Sequence, residues 1–214
     1  VASVVSSATV NCTSAGVASI SGFVTSPQND LLRDVEVSIS DMATMNDMQL
    51  TDANGSFLFP SLAAGGQYMV QPQTSDEVNI RRIKTSDIAT IAAHALGTTP
   101  LTDPYRLIAA DVNADGYVDI SDMLAISRVI LGLDDTYRNS PTWRFIRRDF
   151  DLDGHEEGWN SSIFPTSYMI EELQGHNRNA DFVAIEIGDV FVQPEGREAY
   201  ALNTEDALLA EGQR

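Results

Sequence analysis

The sequence predicts a β-sandwich, then a helix pair, then an irregular C-terminal region that holds a further loop and a strand. Three observations carry this expectation. Residues 17–73 break into short runs with strand alternation, separated by turn residues. Beyond them, apolar residues recur at helical spacing in two runs that stop at Gly97 and Gly132. Stretches dense in Asp and Asn, each with a glycine at a fixed place, punctuate the second half.

Residues 1–16 are small, β-branched and uncharged. They have strand propensity but no partner legible in the sequence. Three readings stay open: a first strand of the sandwich, a strand added to a neighbouring subunit's sheet, or a linker. Cys12 is the single cysteine, so no internal disulfide can form. Asn11-Cys12-Thr13 and Asn160-Ser161-Ser162 fit the glycosylation sequon.

In the sandwich segment, residues 17–24 read as a strand and residues 34–40 alternate polar and apolar. Residues 51–59 read as strand, turn and strand, with Asn54-Gly55 supplying hairpin geometry. Gly65-Gly66 precedes another strand through Val70. The pieces Gly22-Phe23-Val24, Asp34-Val35-Glu36-Val37, Thr51-Asp52-Ala53-Asn54-Gly55-Ser56-Phe57 and Leu62-Ala63-Ala64-Gly65-Gly66-Gln67-Tyr68 resemble carboxypeptidase-regulatory-like and Cna B-type domains. That resemblance implies an immunoglobulin- or prealbumin-like sandwich used as a stalk or accessory domain. Some such domains carry a Lys–Asn crosslink. The one lysine here, Lys84, lies past the last sandwich strand, so no crosslink is expected within the sandwich.

Residues 74–139 form the expected helix pair. In the stretch from Asp111 to Asp122, Asp111, Asn113, Asp115 and Asp119 stand first, third, fifth and ninth, and Asp122 closes the twelfth place. Gly116 is sixth and Tyr117 would offer its carbonyl. Calcium takes six to eight oxygens, and this alternation supplies them. Ile120, Met123, Leu124, Ile126, Ile130 and Leu131 then continue at helical spacing. The residues Asp111-Val112-Asn113, Asp115-Gly116, Val118, Asp122 and Ser127-Arg128-Val129-Ile130-Leu131-Gly132 resemble dockerin type I repeats. The resemblance implies a second EF-hand-like copy and docking onto a cohesin-like receptor, through residues near places ten and eleven: Ile120 and Ser121 here. The candidate first copy runs from Asp76 to Asp87 and ends beside Thr85 and Ser86. Its third, fifth and sixth places hold Val78, Ile80 and Arg81, so it departs from the ligand pattern. Without an ion, Asp87 or Ser86 would simply cap the helix.

Residues 140–193 contain a third acidic loop. Asp149, Asp151, Asp153 and Glu157 repeat the first, third, fifth and ninth ligand places, His155 holds the carbonyl place and Asn160 the twelfth. No amphipathic helix follows. Residues 180–190 read as a strand that pairs locally or with the sandwich. Calcium is therefore the expected cofactor, with ions in the second and third loops and the first loop as candidate for another. Residues 194–214 form an acidic tail in which Thr204 could cap a short helix. The order of the parts over residues 17–193 resembles the terminal region of large secreted, surface-attached proteins of gliding bacteria. That implies an extracellular or cell-surface location.

The formal net charge is −18, which argues against a nucleic-acid partner, since phosphate contacts need Lys and Arg. It suits a chain whose bound cations cancel acidic charge. No apolar run is long enough for a membrane span. The chain begins at Val1 rather than Met, as a processed or excerpted protein would. His94, His155 and His176 show no catalytic spacing, so no enzyme is expected. Three roles remain. The first is a calcium-rigidified extracellular structural or adhesion protein, a stalk segment or filament subunit joining copies of itself or neighbouring surface proteins by strand exchange. The second is a tether to a cohesin-like receptor. The third is calcium-dependent carbohydrate binding, for which Trp143, Trp159 and Tyr168 are the candidate aromatics.

Overall fold

A computed structural model of the protein describes residues 16–41, 46–74, 83–152 and 164–190. The arm, most of the first loop, the latter part of the third loop and the tail lie outside the described residues. Five strands come first: β1 (Val17–Thr25), β2 (Glu36–Ser40), β3 (Asn46–Leu50), β4 (Ser56–Ala63) and β5 (Tyr68–Gln73). Three helices follow: α1 (Thr85–Ala95), α2 (Pro104–Ala110) and α3 (Ile120–Ile130). Four strands close the described chain: β6 (Trp143–Arg147), β7 (Tyr168–Ile170), β8 (His176–Asn177) and β9 (Phe182–Glu186).

The strands form two sheets. One runs β4-β1-β9-β6, with β8 also on β1, and the other runs β3-β2-β5-β7. The early strands alternate as half-buried strands do: Val37 and Ile39 of β2 and Phe57 and Phe59 of β4 point into one core. The C-terminal region is more regular than the sequence suggests. β7 pairs with β5, β9 lies parallel to β1 with Val24 opposite Phe182, and β6 pairs with β9. Both sheets are thus completed by strands that come after the helices. Gly22 permits this, because a Cβ there would stand 2.2 Å from the Ala180 carbonyl oxygen.

The Asn54-Gly55 turn also differs from expectation. Gly55 does adopt a positive φ of 67°. However, β3 pairs with β2 and β4 pairs with β1, so the turn carries the chain from one sheet to the other rather than closing a hairpin. Asp52 fixes it by accepting the backbone N–H groups of Asn54 and Ser56.

All five residues of β9 are buried, because the strand faces two cores. Phe182 and Ala184 belong to the sandwich core. Val183 and Ile185, with Ile146 of β6, belong to a second core shared with Ile91 of α1, Ile108 of α2 and Ile126 of α3. The β9–β6 half of the sheet is therefore a wall between sandwich and helices. Among the described residues no helix is long and apolar enough to cross a membrane.

Candidate metal centre

The Asp111–Asp122 loop joins α2 to α3, and each helix fixes one end. Pro104 pre-sets the first turn of α2, whose start is capped when the Asp103 side chain accepts the Tyr105 N–H. Asp111 follows at its C-terminal cap. Asp119 caps α3 by accepting the Ser121 N–H at 2.7 Å, and Asp122 sits at the third position of that helix. Between them the backbone takes left-handed values at Ala114 and Gly116.

Asp111 and Asp122, the two ends of the ligand pattern, are both fully buried. Asp122 Oδ1 accepts the Asn113 N–H at 3.1 Å and Oδ2 accepts the Asp119 N–H at 2.9 Å. The Asp111 carboxylate accepts N–H groups of Asp115 and Gly116 at 3.1 and 3.2 Å. Asn113 Oδ1 accepts the Asp115 N–H, and Asp115 Oδ1 accepts the Tyr117 N–H. The five expected side-chain ligands thus lie on one short loop, with Tyr117 exposed at its rim. Among the described residues, no three His, Cys, Asp or Glu side chains are gathered closely enough to form a metal-ligating group, the loop oxygens being turned to backbone N–H donors.

Electrostatics set the two buried carboxylates apart. Burial pushes Asp122 up to about 6, with Asp111 and Asp115 adding to the rise against the pull of the two N–H bonds. Asp111 is also raised by burial, although Arg144 draws it down. Asp119, at the surface, is lowered by its bonds to Ser121. The donor set is all oxygen, and among the described residues one guanidinium offsets the charge of its buried members. The chemistry therefore fits a hard dication better than a soft metal.

That guanidinium belongs to Arg144, which the sequence reading missed. It reaches from β6 to within 3.8 Å of Asp111 Oδ2. Its Nη2 donates to the Asp111 carbonyl and to Ser140 Oγ, each at 2.9 Å. The signal was there: an arginine between Trp143 and Phe145, whose side chains a strand sends to the opposite face.

The other expected ligands are more scattered. Asp87, at the third position of α1, is buried, accepting the Lys84 N–H at 2.7 Å and the Val190 N–H at 2.9 Å. Like Asp122, it stands at the third position of its helix and accepts two backbone N–H groups, with Val190 donating here and Asn113 donating to Asp122. Asp76 lies outside the described residues. Asp149 is held in a two-pronged pair by Arg147 at 2.9 and 2.6 Å and accepts the Tyr168 hydroxyl at 3.1 Å. Arg147 therefore holds it below the usual carboxylate range. Asp151 is exposed, while Asp153, His155, Glu157 and Asn160 lie outside the described residues.

Two candidate sugar-stacking aromatics are not on the surface. Trp143 and Tyr168 are buried in the sandwich core, and Tyr168 packs edge-on against Phe182 with centroids 5.1 Å apart. Trp159 lies outside the described residues. The described histidines serve as local braces. His94 Nδ1 accepts the Leu101 N–H at 2.8 Å, and His176 Nδ1 lies 2.7 Å from Ser19 Oγ across paired strands. Among the described residues no carboxylate hydrogen-bonds His176 to complete a triad.

No family model matches the chain, and no curated protein does. Among solved structures, it is similar to BcpA, the major pilin subunit of Bacillus cereus, at 13% identity and TM-score 0.25, over 28% of this chain and 19% of that one. The C-terminal fragment of the pilus adhesin SpaC from Lactobacillus rhamnosus GG matches at 13% identity and TM-score 0.26, over 28% and 24% of the two chains. The dioxygenase domain of a dioxygenase carbohydrate-binding protein fusion from Streptomyces sp. SirexAA-E matches at 25% identity and TM-score 0.22, over 30% and 53%. This chain spans about a fifth to about a half of those structures, and superpositions this loose carry no argument about function.

Proposed function

We propose that the protein is a non-enzymatic, calcium-stabilised structural module of an extracellular or cell-surface assembly. The observation that carries this reading is the pair of fully buried carboxylates, Asp111 and Asp122, closing the two ends of one oxygen-lined loop. A dication bound there would lock α2 to α3, and it would stabilise the fold because the unfolded chain offers no such site. The ligands are Asp111, Asn113, Asp115, Asp119 and Asp122, with the carbonyl of Tyr117. Since the helices share a core with β6 and β9, the ion would also stiffen the wall of the sandwich.

The test is thermal unfolding of the full chain in CaCl2 and in EDTA. Calcium should raise the melting temperature, and identical curves overturn the reading. Assembly by strand exchange is tested by removing residues 1–16. Loss of polymerisation or adhesion supports the arm as connector, and unchanged assembly refutes it.

Docking on a cohesin-like receptor is a second reading. It is favoured by the exposed apolar residues of α3 and its C-terminal cap: Ile120, Leu124 and Leu131 are 61–71% exposed. The binding assay needs the full chain, because β6 and β9 supply one wall of the helical core. Replacing Leu124 with Asp should abolish capture by a cohesin panel, and no capture by the unaltered chain ends this reading.

A further inference from the structure

We infer that Arg144 is the fixed charge by which the sandwich sets the calcium affinity of the Asp111–Asp122 loop. The inference rests on the calcium reading above and adds a residue outside the loop's own pattern. Strand alternation in β6 sends Trp143 and Phe145 into the sandwich core and Arg144 toward the helices. There the guanidinium is 6% exposed. It binds the Asp111 carbonyl and Ser140 Oγ, and its Nη1 lies 3.5 Å from the Ile108 carbonyl. These bonds strap the backbone at the end of α2 to the sheet and leave the guanidinium 3.8 Å from the Asp111 carboxylate. Among the described residues its Nε–H has no hydrogen-bond partner. The side chain is thus retained in the core with an incomplete set of bonds, beside a carboxylate that is itself fully buried.

The charge acts in opposite directions in the two states. Without an ion, Arg144 offsets Asp111 in a loop that also carries Asp115, Asp119 and Asp122, so it supports the folded loop. An arriving dication must share Asp111 with a cation that burial prevents from withdrawing. Arg144 therefore lowers calcium affinity while raising the stability of the ion-free protein. Because it stands on β6, the neighbour of β9, the sheet and the loop are joined through one side chain.

The test is calorimetric titration of the full chain with CaCl2, alongside melting in EDTA. Arg144→Gln should bind calcium about tenfold more tightly, the weight of one screened charge at this range. Its melting temperature in EDTA should fall, and the gain on adding calcium should exceed that of the parent. Ser140→Asp keeps the arginine and places a carboxylate against it, so it too should tighten binding even if Arg144→Gln does not fold. Unchanged or weaker affinity in the folded variants, with only a lower melting temperature, makes Arg144 a packing residue and overturns the inference alone. Absence of calcium binding by the parent overturns the calcium reading and the inference with it.

Discussion

Asp122→Asn should remove a pH dependence that only the calcium-free protein shows. In the folded chain Asp122 is pushed from 3.8 up to about 6, chiefly by burial. That rise corresponds to about 3 kcal/mol of differential stability. The proton favours the folded state here. The contribution is complete below about pH 4 and is lost as the pH climbs through about 6. The asparagine cannot ionise, so it escapes this loss. It does place an amide N–H₂ against the N–H of Asn113 or Asp119, which costs about 1–3 kcal/mol at every pH. In EDTA, urea unfolding should therefore show the parent ahead at about pH 4 and its lead gone or reversed at about pH 7. In saturating CaCl2 the order at neutral pH should revert, because the carboxylate is then a ligand. Buried Trp143 supplies the fluorescence signal. If the two proteins stay equally far apart in EDTA across that pH range, Asp122 is not the perturbed group and the electrostatic argument fails.

Three further substitutions probe the architecture. Gly22→Ala would set a Cβ 2.2 Å from the Ala180 oxygen and 2.9 Å from the Phe57 ring, so β1 and the strands beside it must part. A loss of about 3 kcal/mol is expected by urea denaturation, and a neutral result would mean that the C-terminal strands do not seat against β1 as described. Ile185→Ala hollows the core between β9 and the helices and should cost about 2–5 kcal/mol. Hydrogen exchange should then rise in α1 and α3 before it rises in β2, and uniform exchange would argue against two separate cores. Thr51→Val removes a buried hydroxyl that donates to the Leu32 carbonyl at 2.7 Å and accepts the Val35 N–H at 2.9 Å. About 1–3 kcal/mol should be lost on chemical denaturation, and a stabilised variant would show that those two groups find other partners.

What was legible in the sequence was local. The turn from Asp111 to Asp122 can be read because its carboxylates, its glycine and both helix caps fall within a few residues of one another. The alternation of β2 is visible for the same reason. Pairing between distant strands is not. Nothing near Val24 announces Phe182, and nothing near Tyr68 announces Ile170. The region after residue 140 therefore looked irregular, although its strands complete both sheets. At Asn54-Gly55 the turn chemistry was readable but its consequence was not, since a positive φ does not say which sheet the next strand joins. β9 reads as an alternating strand, yet both its faces are covered, as its nearly unbroken apolar run allows. Arg144 was overlooked because its partner, Asp111, is 33 residues away across that wall.

The parallel pairing of β1 with β9 has a mechanical consequence. The N-terminal end of β1 and the C-terminal end of β9 point in opposite directions along the same sheet, with Val24 beside Phe182 and Thr25 beside Val183. Tension applied between those ends drags the two strands lengthwise past each other, loading the bonds between them together instead of peeling them off one by one. A domain pulled in that direction resists through its unfolding barrier, and a tether under flow or traction depends on that resistance.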